Sequence, residues 1–129
     1  MILVDTSIWI DFFGHPDSSY TEKLEKLIKD NNRTAICGII LQEILQGIKE
    51  NNSYELTKER LVKFPFLHTE KKTYLHASSL YRKLRKKGIT LPSVDVTIAS
   101  IAILNNLPLF TKDKHFDLIS KYSDLIIYR

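Results

Sequence analysis

The sequence predicts an α/β domain in which helices flank a central parallel sheet of four or five strands. Short continuous apolar segments, of which Ile2-Leu3-Val4 is the first, lack the alternation of a half-exposed strand and are typical of strands buried on both faces. They alternate with segments whose apolar residues recur at helical spacing, and no hairpin motif separates them. At 129 residues the chain is expected to form a single domain, residues 1–129.

The apolar pattern assigns most of the chain to strands or helices. The predicted strands are residues 2–4, 34–37, 66–68, 107–110 and 125–128. The predicted helices are residues 19–32, 39–50, 53–63, 69–87, 94–105 and 115–122, and residues 6–13 form a dense apolar segment. Ser19-Tyr20-Thr21-Glu22 matches a capping box, and Ser53 and Ser93 are predicted to cap later helices.

Composition limits the kind of protein that this chain forms. Apolar residues make up 43% and charged residues 26% of the sequence, as in an ordinary water-soluble domain. No apolar run reaches the roughly 20 residues that span a bilayer, so no membrane association is expected. The single cysteine, Cys37, lies in an apolar run and is predicted to be a core thiol, which suits a reducing cytoplasm. The net charge of +4 slightly favours a polyanionic partner.

Three aspartates stand where the predicted fold brings ligands together. Asp5 directly follows the first strand and Asp113 follows the fourth, at the edge of a parallel sheet where ligands bind. Asp95 lies in the first turn of a helix that is apolar nearly all round, so the face that carries it enters the core. Each aspartate also has a structural explanation, because Asp5 and Asp113 can cap the following segments and the helix dipole favours Asp95.

Taken together, the three aspartates predict a shared carboxylate cluster. Several carboxylates in one pocket repel each other and need a cation, and oxygen ligands select Mg²⁺ or Mn²⁺. Such a site activates water and stabilises an in-line displacement at phosphorus. Without metal, the repulsion is expected to raise the carboxyl pKa values, so replacing Asp95 with Asn is expected to stabilise the metal-free protein.

Glu43 is a weaker candidate. It lies in the predicted helix 39–50, and Gly47 follows it by four residues, which leaves space beside its carboxylate for a ligand or another chain. The segment alone favours a glutamate on a solvated helix face.

The ordered set of motifs resembles a PIN domain, and in particular a VapC-type toxin ribonuclease. The matching pieces cover nearly the whole chain: Val4-Asp5-Thr6-Ser7, Glu43, Leu91-Pro92-Ser93-Val94-Asp95 with Ile98-Ala99, and Leu109-Phe110-Thr111-Lys112-Asp113 with Phe116. The resemblance implies a PIN-like three-layer sandwich and a metal-dependent endoribonuclease.

The resemblance also implies roles for particular residues. The catalytic quartet would be Asp5, Glu43, Asp95 and Asp113, of which Asp5, Asp95 and Asp113 would hold Mg²⁺ or Mn²⁺. Thr6, Thr111 and Asp117 would support them, and the last acidic position is either Asp113 or Asp117. The implied partners are an RNA of the tRNA or rRNA class, a small antitoxin protein and a second copy of the chain.

A basic run ends the predicted helix 69–87 just before the segment that carries Asp95. Its cations are Arg82, Lys83, Arg85, Lys86 and Lys87. They either complement the negative end of the helix or contact the phosphates of bound RNA beside the acidic site, and the second interpretation is favoured.

Other functions fit the sequence less well. A haloacid-dehalogenase-type phosphatase needs a second aspartate where Ser7 stands, and the third strand offers no acceptor aspartate for a receiver domain. The four histidines, His15, His68, His76 and His115, are scattered and expected to be structural or exposed. A non-catalytic α/β binding module and a PIN-like nuclease without an antitoxin remain the alternatives.

Overall fold

The computed structural model describes residues 1–31 and 33–129. Within these residues, four strands and seven helices alternate along the chain. In order they are β1 (Ile2–Val4), α1 (Thr6–Gly14), α2 (Ser19–Lys29), β2 (Thr34–Cys37), α3 (Gly38–Gln46), α4 (Asn51–Leu61), β3 (Phe66–Leu67), α5 (Lys71–Lys86), α6 (Ser93–Leu104), β4 (Leu109–Phe110) and α7 (His115–Lys121).

The strands form one parallel sheet in the order β3-β2-β1-β4. Leu3 pairs with Ala35 of β2 on one side and with Leu109 of β4 on the other, so β1 lies inside the sheet. All strand pairs are parallel, which brings the carboxyl ends of the four described strands to one edge. The predicted α/β fold is confirmed.

The prediction of a fifth strand over residues 125–128 was wrong. This segment makes a single bridge, between Ile127 and Leu109. The amide of Leu109 donates to the carbonyl of Ile126, and the amide of Tyr128 donates to the carbonyl of Leu109, each at 2.8 Å. Only Leu109 of the edge strand β4 exchanges backbone hydrogen bonds with this segment, so the pairing remains a single bridge.

Several helix ends differ from the predictions by a few residues. Ser18 caps α2 in place of the predicted Ser19, because Ser18 has extended backbone angles while Ser19 is already helical. Glu50 caps α4 in place of Ser53, with its carboxylate accepting from the Ser53 amide at 2.7 Å. The predicted helix 39–50 ends at Gln46. The end of the predicted helix 19–32 falls on residue 32, which lies outside the described residues.

The core is built on the inner strands and α1. Leu3 and Val4 are fully buried, and so is Trp9, whose ring nitrogen donates to the carbonyl of Val4 at 3.2 Å. Cys37 is also fully buried, and burial raises the pKa of its thiol, so the prediction of a core cysteine is confirmed. Among the described residues, no helix has the length and apolar content needed to cross a membrane.

Candidate acidic site at the carboxyl edge of the sheet

Asp5 lies where β1 ends and is 4% exposed. Its Oδ2 atom accepts hydrogen bonds from the Ser7 hydroxyl at 2.7 Å and from the Thr111 hydroxyl at 2.8 Å. It also accepts from the Ser7 amide at 3.4 Å, which makes Asp5 the N-cap of α1. The two interpretations of Asp5 that the sequence left open are therefore compatible, since one carboxylate caps the helix and faces the edge of the sheet.

Burial raises the pKa of the Asp5 carboxyl, and the hydrogen bonds from Ser7 and Thr111 act in the opposite direction. The direction agrees with the prediction from the sequence, but the cause differs. The prediction invoked repulsion between carboxylates, whereas the dominant effect at Asp5 is loss of water around its charge. A carboxylate in this position is stabilised by a cation that replaces the missing water.

Glu43 is connected to the segment that follows Asp5. The Thr6 hydroxyl donates to Oε1 of Glu43 at 2.8 Å, and Glu43 is half-buried in α3. The interpretation of Glu43 as a residue on a solvated face was therefore wrong, because its carboxylate is tied to the first residue of α1.

Asp95 and Asp113 lie close together on the more exposed side of the site. Their carboxylates and the ring of His115 offer ligand atoms that all lie within 4.8 Å of one another. Nδ1 of His115 is 2.8 Å from Asp95 Oδ2 and 3.6 Å from Asp113 Oδ1. The hydrogen bond to Asp95, followed by the charge of Asp113, raises the pKa of His115. Protonated His115 thus compensates the two carboxylates.

The sequence interpretation missed His115, which it grouped with scattered structural histidines. The available signal was its place two residues after Asp113, at the start of a helix that follows a buried strand. Ser93, by contrast, was wrongly predicted to cap α6. It is the first helical residue and makes no side-chain cap, while Asp95 does lie in the first turn as predicted.

Thr111 connects the two parts of the site. Its hydroxyl donates to Asp5 and also accepts from the Asp113 amide at 3.0 Å. Asp117 lies apart from this network, because its carboxylate pairs with Arg129 at 3.1 Å. Among the described residues, neither Asp5 nor Glu43 belongs to the close group of ligand atoms around His115.

The donor set suits a divalent cation. Carboxylate oxygens are the ligands that Mg²⁺ and Mn²⁺ prefer. Asp95 and Asp113 offer converging oxygens, and Asp5 offers a buried charge that Thr111 joins to Asp113. The residues present therefore fit Mg²⁺ or Mn²⁺.

The predicted basic run lies at the end of α5, and part of it packs against the end of α7. Lys83 donates to the carbonyl of Tyr122 at 2.8 Å, and the Lys87 ammonium lies 5.1 Å from the centre of the Tyr122 ring. Arg82 and Lys86 line a surface hollow together with Lys83 and Lys87. Arg85 lies over Tyr81, with its guanidinium carbon 5.9 Å from the ring centre.

The chain is similar to known proteins over most of its length. A sequence profile of the PIN domain matches residues 2–122. The chain is 33% identical over 129 residues to ribonuclease VapC11 of Mycobacterium tuberculosis. The alignment covers 97% of this chain and 96% of the relative. It is 32% identical over 122 residues to ribonuclease VapC1 of Methanocaldococcus jannaschii, covering 94% of this chain and 82% of the relative.

A solved structure also has this fold. The crystal structure of VapBC2 from Rickettsia felis, bound to a DNA fragment from the promoter, aligns with a TM-score of 0.83 and 27% identity. The alignment covers 99% of this chain and 98% of the matched chain.

Proposed function

Because this chain belongs to the PIN domain family, we propose that it is a toxin endoribonuclease that cleaves RNA with a divalent cation and is neutralised by an antitoxin. Two observations support this proposal: Asp95, Asp113 and His115 offer ligand atoms close together, and Thr111 joins the buried Asp5 to the Asp113 amide. The names of the ribonuclease relatives and the fold shared with VapBC2 support the activity and the kind of partner.

In the proposed mechanism, Asp95 and Asp113 hold Mg²⁺ or Mn²⁺, and Asp5 completes the negative site from its buried position. When bound, the cation lowers the pKa of a water molecule and neutralises charge on the phosphate. The Ser7 and Thr111 hydroxyls fix the orientation of Asp5. Glu43, oriented by Thr6, is the proposed acceptor of a proton from the attacking water.

The same proposal assigns the basic run to RNA phosphates. Arg82 lines a hollow that reaches the start of α6 and, together with Lys86, lines a second hollow at the end of α5. Both side chains are proposed to contact the phosphates of a bound strand. Asp117 is proposed to act as a supporting residue only, since Arg129 already pairs with it. The RNA would be of the tRNA or rRNA class, and the chain would act as a homodimer.

An antitoxin segment has a suitable groove beside Glu43. A cavity of about 500 Å³ is lined by Ile10, Glu43, Gly47 and Leu56, among others. Ile10 and Leu56 are large apolar side chains that are more than half exposed, so an apolar segment of the partner would cover them. An Arg of the antitoxin would then pair with the acidic residues, where bidentate bonds to carboxylates are favourable.

Gly47 permits a direct test of this groove. A Cβ atom at Gly47 would make ordinary contacts, 3.5 Å from the Glu43 carbonyl and 3.6 Å from the Ile44 carbonyl, so a side chain there leaves the fold intact. Gly47→Leu should fill the groove and reduce co-purification with the co-expressed antitoxin. Glu25→Leu, at an exposed position of α2 that does not line this groove, is the control for added apolar bulk. Unchanged co-purification of Gly47→Leu would show that the antitoxin binds elsewhere.

The activity is tested with purified protein and RNA. Mg²⁺ or Mn²⁺ should produce internal cleavage with 3′-hydroxyl and 5′-phosphate ends, because a metal-activated water and not the ribose 2′-hydroxyl is the nucleophile. Excess chelator should stop the reaction. Cleavage that continues in chelator, or 2′,3′-cyclic phosphate products, would contradict the mechanism.

A non-catalytic binding module is the second candidate, and the pairing of His115 with both carboxylates favours it, because a protonated histidine already compensates their charge. The same assay separates the candidates. A binding module would retain RNA or antitoxin binding and show no cleavage at any concentration of Mg²⁺ or Mn²⁺.

A further inference from the structure

A cleft that neither the acidic site nor the antitoxin groove uses opens beside the acidic site. Its volume is about 530 Å³, and it lies between the start of α3, the residues of β3 and those after it, α5 and the start of α6. We define this aromatic cleft by six of its lining residues: Gly38, Gln42, Phe66, His68, Tyr74 and Thr97.

The aromatic cleft lies on the ligand-binding edge of the sheet. It lies where β2 and β3 end, and the sheet continues from these strands to β1 and β4, whose ends carry Asp5 and Asp113. Gln42 immediately precedes Glu43, and Val94, which also lines the cleft, immediately precedes Asp95. A strand of substrate that crosses this edge from the acidic site would therefore reach the cleft.

The side chains of the cleft have the chemistry that a nucleobase requires. Phe66 is 42% exposed and Tyr74 is 58% exposed, so both aromatic residues are accessible to a ligand. The His68 ring lies 4.9 Å from the Phe66 ring at an angle of 70°. Gln42 adds an amide that can hydrogen-bond to a base edge, and the described lining contains no acidic or basic side chain other than this histidine. Unpaired bases in RNA are bound in this way, by stacking on aromatic rings and hydrogen bonds to their edges.

The cleft continues toward the basic run. A neighbouring hollow of about 350 Å³ shares Tyr74 and Thr97 with the cleft and extends to Tyr81 and Arg82. Arg82 also lines the hollow formed by the lysines at the end of α5. Aromatic and basic side chains thus follow one another from the aromatic cleft to the basic run, which is the pattern of a single-stranded nucleic-acid groove.

We infer that the aromatic cleft binds a nucleobase of single-stranded RNA beside the phosphate that is cleaved, with Tyr74 and Phe66 as the stacking residues. The strand continues along Tyr81 and Arg82 to the basic run. The choice of RNA as the ligand rests on the proposed function, whereas the location of the base rests on the cleft. A second copy of this chain is the competing occupant, since exposed aromatic residues also serve protein contacts.

Tyr74→Ala tests this inference, with Leu75→Ala as a matched control. Leu75 is the next residue of α5 and is 64% exposed, but it is not part of the cleft. Both changes are made in the Asp95→Asn protein, so that labelled short single-stranded RNA homopolymers survive in Mg²⁺ while binding is measured by fluorescence anisotropy. Tyr74→Ala should weaken binding by about 5- to 150-fold, the range given by stacking of one base. Leu75→Ala should have no effect.

An RNA with one abasic position sharpens the test. The abasic position is moved along the RNA. At one position, the missing base should weaken binding to the Asp95→Asn protein. The same missing base should not weaken binding to the protein that also carries Tyr74→Ala. Equal binding by the Tyr74→Ala and Leu75→Ala proteins would overturn the inference. The inference would also be overturned if Tyr74→Ala converted a dimer to a monomer in sedimentation and left the RNA affinity unchanged. That result would make the cleft a contact between two copies of the chain.

The experiments distinguish failure of the base-binding inference from failure of the proposed nuclease function. If the parent cleaves RNA with Mg²⁺ and Tyr74→Ala cleaves it with the same KM as Leu75→Ala, the base-binding role of the cleft is wrong and the nuclease function is retained. If the parent cleaves no RNA but its RNA binding depends on Tyr74, the proposed nuclease function is wrong and the base-binding role of the cleft is retained.

Discussion

The two parts of the acidic site compensate negative charge in different ways. Asp5 is buried and accepts hydrogen bonds from the hydroxyls of Ser7 and Thr111, and these only partly offset the loss of water. Asp95 and Asp113 are more exposed and lie against His115. Without a metal ion, a negative charge on Asp5 is therefore unfavourable, whereas His115 compensates the negative charge of Asp95. Substitutions in the two parts should agree in their effect on activity and differ in their effect on stability.

The largest expected effect is on RNA cleavage. Asp5→Asn and Asp95→Asn should each lower the initial rate in Mn²⁺ by more than about 100-fold, because a lost metal-binding charge removes several kcal/mol of transition-state stabilisation. Asp117→Asn should change the rate little, since Asp117 pairs with Arg129. A rate for either of the first two variants close to that of the parent would remove that residue from the site.

The next effect concerns the ion pair that joins α1 to the segment carrying Thr111 and Asp113. Asp11 of α1 is buried and its carboxylate lies 2.6 Å from the ammonium of Lys112, the residue between Thr111 and Asp113. Asp11→Asn should lower the free energy of unfolding at pH 7 by about 1–3 kcal/mol, below the cost for a fully buried pair because Lys112 is partly exposed. Urea unfolding of both proteins measures it.

The pH dependence of this loss has a definite sign. The hydrogen bond from Lys112 lowers the pKa of Asp11, and the Ser18 hydroxyl donates to the same carboxylate at 2.8 Å. A carboxyl with a lowered folded pKa stabilises the protein above its unfolded pKa, and this stabilisation is lost as the pH falls through the folded pKa. The difference between parent and Asp11→Asn should therefore disappear in acid. A difference that stays constant down to low pH would show that Asp11 acts by packing alone.

Metal-free stability should respond in opposite directions in the two parts of the site. In chelator at pH 7, Asp5→Asn should raise the free energy of unfolding by about 0.5–2 kcal/mol, because it removes a charge whose burial raises the pKa and keeps an acceptor for Ser7 and Thr111. A carboxyl with a raised folded pKa opposes folding above that pKa, which gives the sign. A lower melting temperature for Asp5→Asn would show that its role as a cap dominates.

The smallest effect is expected at Asp95. The sequence alone predicted that Asp95→Asn would stabilise the metal-free protein, but the contact with His115 reverses this expectation. A histidine with a raised folded pKa contributes stability below its unfolded pKa and loses it as the pH rises through the folded pKa. Asp95→Asn should thus melt lower than the parent near pH 5–6, by less than about 1 kcal/mol because His115 is 46% exposed. The difference should vanish at alkaline pH.

The sequence was sufficient for the parts of this site that depend on strand order. Asp5 and Asp113 follow buried strands, and parallel pairing of β1 with β4 brings their segments to the same edge. The prediction of a fifth strand was wrong because residues 125–128 pair with Leu109 of β4 alone, which their apolar content does not reveal.

The contacts between distant side chains could not be predicted in the same way. Asp11 lies within an apolar segment and its partner Lys112 is 101 residues away, so its burial depends on packing that no local pattern records. His115 meets Asp95 across 20 residues, and its role depends on how α6 and α7 pack. The cause of the raised pKa of Asp5 likewise required the burial of this side chain, which the sequence does not specify.

Binding of Mn²⁺, measured by thermal melting, tests the central claim that the buried and the exposed carboxylates serve one cation. The parent should gain about 2.7 kcal/mol at a Mn²⁺ concentration 100 times its Kd, relative to chelator. Asp5→Asn and Asp95→Asn should each lose most of this gain, while Asp117→Asn keeps it. If the parent melts at the same temperature with Mn²⁺ and with chelator, or if Asp5→Asn gains as much from Mn²⁺ as the parent does, the carboxylates do not form a common metal site.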